Sequence, residues 1–197
     1  MKNILKVLSG IAIVLSLAAC GDEDNTAEPV KAEPKIVEAK PKPSIDKVEL
    51  ISEEVKPILK KRIADVDKVE IKDGAVKVSF SADKTYWDET DIVSSTARQG
   101  LPLMEMLFKN KDVKTVEIVA PTNMLDDKGN EEVSEVVKVK WDRATSEEIN
   151  YENFGDMLYA DFTRFYNESD SYFIHPGVFG KIKEKHLVNF ENGAIKQ

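Results

Sequence analysis

The dipeptide Asp73-Gly74 stands between two runs in which apolar and charged residues alternate: Val69 and Ile71 before it, Val76, Val78 and Phe80 after it. A period of two belongs to half-buried strands, and Asp-Gly accepts the positive φ angles that a two-residue hairpin turn demands. The chain repeats this plan. Val116, Ile118 and Ala120 alternate, as do Val137, Val139 and Trp141, with the turn residues Asp126-Asp127-Lys128-Gly129-Asn130 between them.

Helical periods flank the two hairpins. Val55, Ile58, Leu59 and Ile63 share a face behind Ser52-Glu53-Glu54, with Ser52 as the expected cap, although Pro57 favours a later start. Asp91 is placed to cap a helix carrying Val93, Ala97, Leu101, Met104 and Phe108, which Gly100 and Pro102 should kink or split. Thr145-Ser146-Glu147-Glu148 has the capping-box pattern, and Phe154, Leu158, Phe162 and Phe165 follow at helical spacing over 150–167. The order helix, hairpin, helix, hairpin, helix predicts an α+β fold: a mainly antiparallel four-stranded sheet with helices packed on one face.

Residues 1–20 are of another kind. Lys2 and Lys6 precede the apolar stretch Val7–Leu17, which ends in small residues at Ala18-Ala19-Cys20. That is the layout of a secretory signal, and the stretch is shorter than the about 20 residues of a membrane-spanning helix. Leu17-Ala18-Ala19-Cys20 resembles the lipobox of bacterial lipoproteins, and Cys20 is the single cysteine of the chain. The resemblance implies a signal peptide over 1–19, cleavage before Cys20, and a diacylglyceryl group on the Cys20 thiol. Each buried CH₂ contributes about 0.8 kcal/mol, so two chains hold where one is marginal.

Residues 20–46 hold four of the eight prolines and no aromatic residue. That composition reads as a disordered tether reaching up to roughly 80 Å from a bilayer, and it leaves 47–197 as one α+β domain. The segments 69–81 and 113–119 are similar in outline to part of GerMN-type envelope domains. Lys128-Gly129-Asn130, 149–154 and 173–176 resemble uncharacterised lipoproteins of low-GC Gram-positive bacteria. With 24 lysines against four arginines the chain suits an AT-rich genome, while Gly21 after the cysteine would equally suit outer-membrane sorting in a Gram-negative source.

A net charge of −8 argues against nucleic-acid binding, and one cysteine excludes an intrachain disulfide framework or a cysteine-cluster zinc site. G-x-S-x-G, P-loop, G-x-G-x-x-G and H-E-x-x-H motifs are missing from the sequence. No catalytic residue, metal ligand or cofactor is assigned. Asp126, Asp127, Asn130, Glu131 and Glu132 carry oxygen ligands that suit calcium, but their spacing is not that of an EF-hand, and a solvated turn accounts for them. His175, in His175-Pro176-Gly177, reads as a hydrogen-bonding group beside a turn.

Ten of the fifteen aromatic residues follow position 150. Two readings stand: an aromatic core under the sheet, or an exposed patch to which Tyr159, Tyr166, Tyr172 and Phe179 contribute. Trp87, beside Asp88 and Glu89, either covers one end of the sheet or binds a sugar or cationic ligand. The expected protein is held to the extracytoplasmic face of a cell membrane by its lipid. It serves as a non-catalytic binding module for an envelope protein or cell-wall component. The alternatives are a metal-dependent or hydrolytic envelope enzyme and a small solute-binding lipoprotein.

Overall fold

A computed structural model describes residues 44–126 and 128–197. The apolar N-terminal segment, Cys20 and the residues up to 43 lie outside them, as does Asp127. The first element among the described residues is a 3-10 turn, Ile45–Lys47, whose Ile45 is only 3% exposed, so the end of the expected tether, 44–46, belongs to the folded body. The Asn110 side-chain amide donates to the Ile45 and Val48 carbonyls at 3.0 and 3.1 Å, tying this first segment to the body.

The elements in chain order are α1 (Ser52–Arg62), β1 (Val66–Lys72), β2 (Ala75–Phe80), α2 (Glu89–Leu107), β3 (Thr115–Leu125), β4 (Glu131–Asp142), α3 (Arg143–Glu147), α4 (Tyr151–Ala160), α5 (Arg164–Asn167), β5 (Ser171–Ile174), α6 (Pro176–Phe179), α7 (Glu184–Leu187) and β6 (Ile195–Lys196). The strands lie in the sheet in the order of the chain. Both expected hairpins are present, β1–β2 and β3–β4. Asp73 and Gly74 turn the first at φ 54° and 85°. A Cβ on Gly74 would lie 2.6 Å from the Asp112 carbonyl oxygen, so the turn needs glycine for space as well as for φ.

In place of the mainly antiparallel four-stranded sheet expected from the sequence there is a six-stranded mixed one, antiparallel at every pairing but one. β2 and β3 pair in parallel, Val78 beside Ile118. The reason is α2: a 19-residue helix is about 28 Å long and returns the chain to the end where β2 began, so the next strand runs the same way. β5 and β6 have four and two residues, too few for a period to register in the sequence.

Register sorts side chains by row across the sheet. Val78, Ile118, Val139 and Tyr172 form one buried row, and Val76, Val116 and Trp141 the next. Val55 and Leu59 of α1, Val93, Ala97 and Met104 of α2, and Phe154 and Leu158 of α4 belong to the same core. The alternate row, Lys77, Glu117, Lys140 and Ser171, is polar and partly or wholly exposed, with Lys77 bonded to Glu135 at 2.7 Å.

The helices depart from expectation in five places. Ser52 is the first residue of α1, not its cap, and Pro57 lies inside the helix. Asp88, not Asp91, caps α2. Gly100 and Pro102 do not divide α2, whose eleven buried residues hold it against the sheet through the lost backbone bond. The single helix expected over 150–167 is two: Asp161 ends α4 by accepting from the Thr163 N–H and hydroxyl at 3.1 and 2.6 Å, and α5 restarts beyond it. Thr145 is inside α3 and spends its hydroxyl on Asp170, while Asn150 caps α4. No helix among the described residues is long and apolar enough to cross a membrane.

Candidate functional site

The start of α2 is built by three acids. Asp88 accepts the Asp91 N–H at 2.8 Å, and Asp91 reaches back to accept the Trp87 N–H at 3.1 Å. Ser95 holds the other Asp91 oxygen at 2.9 Å. This reciprocal cap satisfies orphan helix donors and fixes the chain at Trp87. Ion pairs then tie the same turn to the 176–187 segment: Asp88 to Lys183 at 2.9 Å and Glu89 to Lys181 at 2.8 Å. The Lys183 N–H also donates to the Thr90 hydroxyl. Asp88 and Glu89 both titrate below the ordinary carboxylate value, chiefly through the hydrogen bonds from these lysines.

On this braced backbone the indole of Trp87 is 96% exposed. It does not cover the sheet. Its neighbour Tyr86 turns inward instead, under the Lys84 ammonium 5.1 Å from the ring centroid. Burial, with Asp65 and Asp91 nearby, pushes the Tyr86 hydroxyl up to about 12, and that buried hydroxyl has no hydrogen-bond partner among the described residues. Lys84 is held by Asp65 at 2.8 Å and by Gln99 at 2.7 Å.

Trp87 forms a ridge between two depressions. One, of about 530 Å³, has Ile92, Met124, Leu125 and Val178 as its apolar lining. The other, of about 260 Å³, is more polar, with Asp88, Asp91, Ser94, Arg98, Tyr159, Lys183 and His186 around it. Tyr159 is 77% exposed, with the Arg98 guanidinium 5.9 Å from its ring centroid. His186 leans on the buried Phe162, ring centroids 4.9 Å apart, and its burial and the nearby Lys185 hold its imidazole below its ordinary value.

Of the aromatic residues singled out in the sequence, Trp87 and Tyr159 come together at this second cleft. Tyr166 and Tyr172 do not reach the surface and are corrected to the core. Tyr166 is fully buried and donates to the Val93 carbonyl at 2.7 Å; Tyr172 is 3% exposed and donates to the Gly193 carbonyl at 2.8 Å. Each enters an aromatic cluster with Phe190 because its hydroxyl finds an acceptor there. Phe179 is half-buried against Phe190. Arg98 and Lys183 carried no signal of their own in the sequence; only the fold brings them beside Trp87.

The loop considered for calcium uses its first acid internally. Asp126 accepts the Lys128 and Asn130 N–H groups, each at 2.8 Å, and the Asn130 side-chain amide at 2.9 Å. These bonds, that amide foremost, keep its carboxyl below its ordinary value. His175 caps α6, its Nδ1 accepting the Gly177 N–H at 3.1 Å.

What the ridge offers chemically is stacking area and hydrogen-bond donors. Ser94 and Ser95 commit their hydroxyls to the Asp91 carbonyl and carboxylate. No family model, no curated protein and no solved structure matches the chain.

Proposed function

We propose that the chain is a lipid-anchored extracytoplasmic protein whose folded body binds another component of the cell envelope without chemical turnover. Cys20 carries the anchor, and the proline-rich residues beyond it set the body away from the bilayer. The binding reading is carried by Trp87. A large aromatic side chain left in water is unfavourable, yet two carboxylates and two ion pairs brace the turn that presents it. Aromatic residues held rigid at the edge of a cleft supply contact area at low entropic cost.

Two measurements test this. In cells, the chain should incorporate labelled palmitate and float with membranes, and Cys20→Ser should abolish both; an unmodified thiol on an uncleaved product would refute the anchor. Crosslinked envelope fractions should be captured by the full chain and lost with Trp87→Ala. Hydrolysis of a cell-wall polymer by the purified chain would overturn the non-catalytic reading.

A further inference from the structure

In the cleft shared by Trp87 and Tyr159 both carboxylates are engaged. Asp88 receives the Asp91 N–H and faces the Lys183 ammonium, while Asp91 receives the Trp87 N–H and the Ser95 hydroxyl. The Thr90 oxygen takes the Lys183 N–H. The charged groups left with free hydrogen-bonding capacity are cations. Arg98 makes no hydrogen bond or ion pair among the described residues and lies over the Tyr159 ring. The ammonium of Lys183 points from an exposed side chain and keeps protons beyond its one carboxylate. The His186 ring also lacks a hydrogen-bond partner among those residues, and the exposed indole of Trp87 can donate its own N–H. An acidic chain therefore exposes here two cationic donors and an indole N–H, with a neutral imidazole that can donate or accept, flanked by two aromatic side chains.

A ligand that complements this set needs an apolar face to lie on an aromatic ring, a rim rich in acceptors and a negative charge for the guanidinium. A peptide side chain offers one or two of these features; a sugar ring with an acid group offers all three. At about 260 Å³ the cleft falls below the size of pockets that enclose a drug-sized ligand. It suits one ring of a chain whose neighbours stay in solvent. We infer that the Trp87–Tyr159 cleft binds a saccharide bearing a carboxylate, with Trp87 and Tyr159 stacking on the ring and Arg98 and Lys183 holding the acid group. This assignment rests on the binding-module reading of the same ridge.

The test uses the full chain in nanodiscs and three probes: tetragalacturonate, the neutral maltotetraose, and citrate as a carboxylate without a sugar ring. Trp141 is fully buried, so its indole N–H signal serves as an internal reference for that of Trp87. Tetragalacturonate should shift the Trp87 signal and leave that of Trp141 in place. By calorimetry, Trp87→Ala and Arg98→Gln should each weaken binding about tenfold, and maltotetraose should bind at least about tenfold more weakly than the acid sugar. Both variants change exposed side chains, so their melting temperatures should match the parent and show that they fold. Equal binding of maltotetraose, displacement by equimolar citrate, or affinity unchanged in either variant would overturn the assignment. Failure of the sugars to bind, alongside Trp87-dependent capture of an envelope protein, would remove the saccharide and leave the binding module. Failure of both would remove both.

Discussion

Two glycines in neighbouring helices should respond to the same substitution with opposite signs. Alanine in place of a helical glycine gains about 1 kcal/mol from backbone entropy alone. At Gly100 in α2, a Cβ would stand 2.9 Å from Cζ and 3.3 Å from Cε1 of Phe165. That ring has nowhere to withdraw: it is fully buried, 5.3 Å from the Trp141 ring and 5.9 Å from that of Tyr166. Overpacking of this kind costs about 1–3 kcal/mol. The steric term exceeds the propensity gain, and Gly100→Ala should destabilise by about 1 kcal/mol. At Gly155 in α4 the nearest atom to a Cβ is Leu101 Cδ2 at 3.7 Å, an ordinary contact. Only the propensity gain is left, so Gly155→Ala should stabilise by about 0.5–1 kcal/mol. For a chain of this size 1 kcal/mol moves Tm by about 2–4 °C. Thermal and urea melts of the two variants should bracket the parent, with m unchanged. A Gly100→Ala protein that melts at or above the parent would refute the packing argument, and a destabilised Gly155→Ala would refute the propensity argument.

Three other outcomes follow from the structure. Arg143 donates from Nε to the Val113 carbonyl at 2.8 Å and from its two Nη atoms to those of Phe108 and Asn110 at 3.1 and 2.7 Å, a fork that an ammonium cannot reproduce; Arg143→Lys should cost about 2 kcal/mol in urea melts. The Lys84 hydrogen bond is the main reason Asp65 titrates below its ordinary value, so this pair stabilises the fold above that value and the contribution is lost as pH falls through the lowered one. Asp65→Asn should therefore lower Tm at pH 6 and narrow the gap to the parent at pH 3; an equal gap at both would refute the linkage. Trp87→Ala should leave stability within about 0.5 kcal/mol of the parent, as expected for a side chain that touches little, and a larger loss in thermal melts would mean that the indole packs.

Much of the local structure was legible in the residues. Asp73-Gly74 and the alternation around it dictate a hairpin, and the same holds for 115–142, because turn chemistry and a period of two act over a few residues. The α+β class follows from that order. Phe154, Leu158, Phe162 and Phe165 are all buried as expected, Phe154 and Leu158 through helical spacing in α4 and the other two beyond the break at Asp161.

Other features were decided only by tertiary structure. Pro102 and Gly100 are breakers in an isolated helix, but the burial of Val93, Ala97 and Met104 outweighs a lost backbone bond. The parallel pairing of β2 with β3 depends on the length and path of α2, which no local pattern encodes. Whether Tyr166 faced solvent or core rested on an acceptor 73 residues away, the Val93 carbonyl. The cleft beside Trp87 gathers Arg98 from α2, Tyr159 from α4 and His186 from α7, and no spacing in the chain announces that meeting. Sequence acts through neighbours along the backbone, and a site is made by neighbours in space.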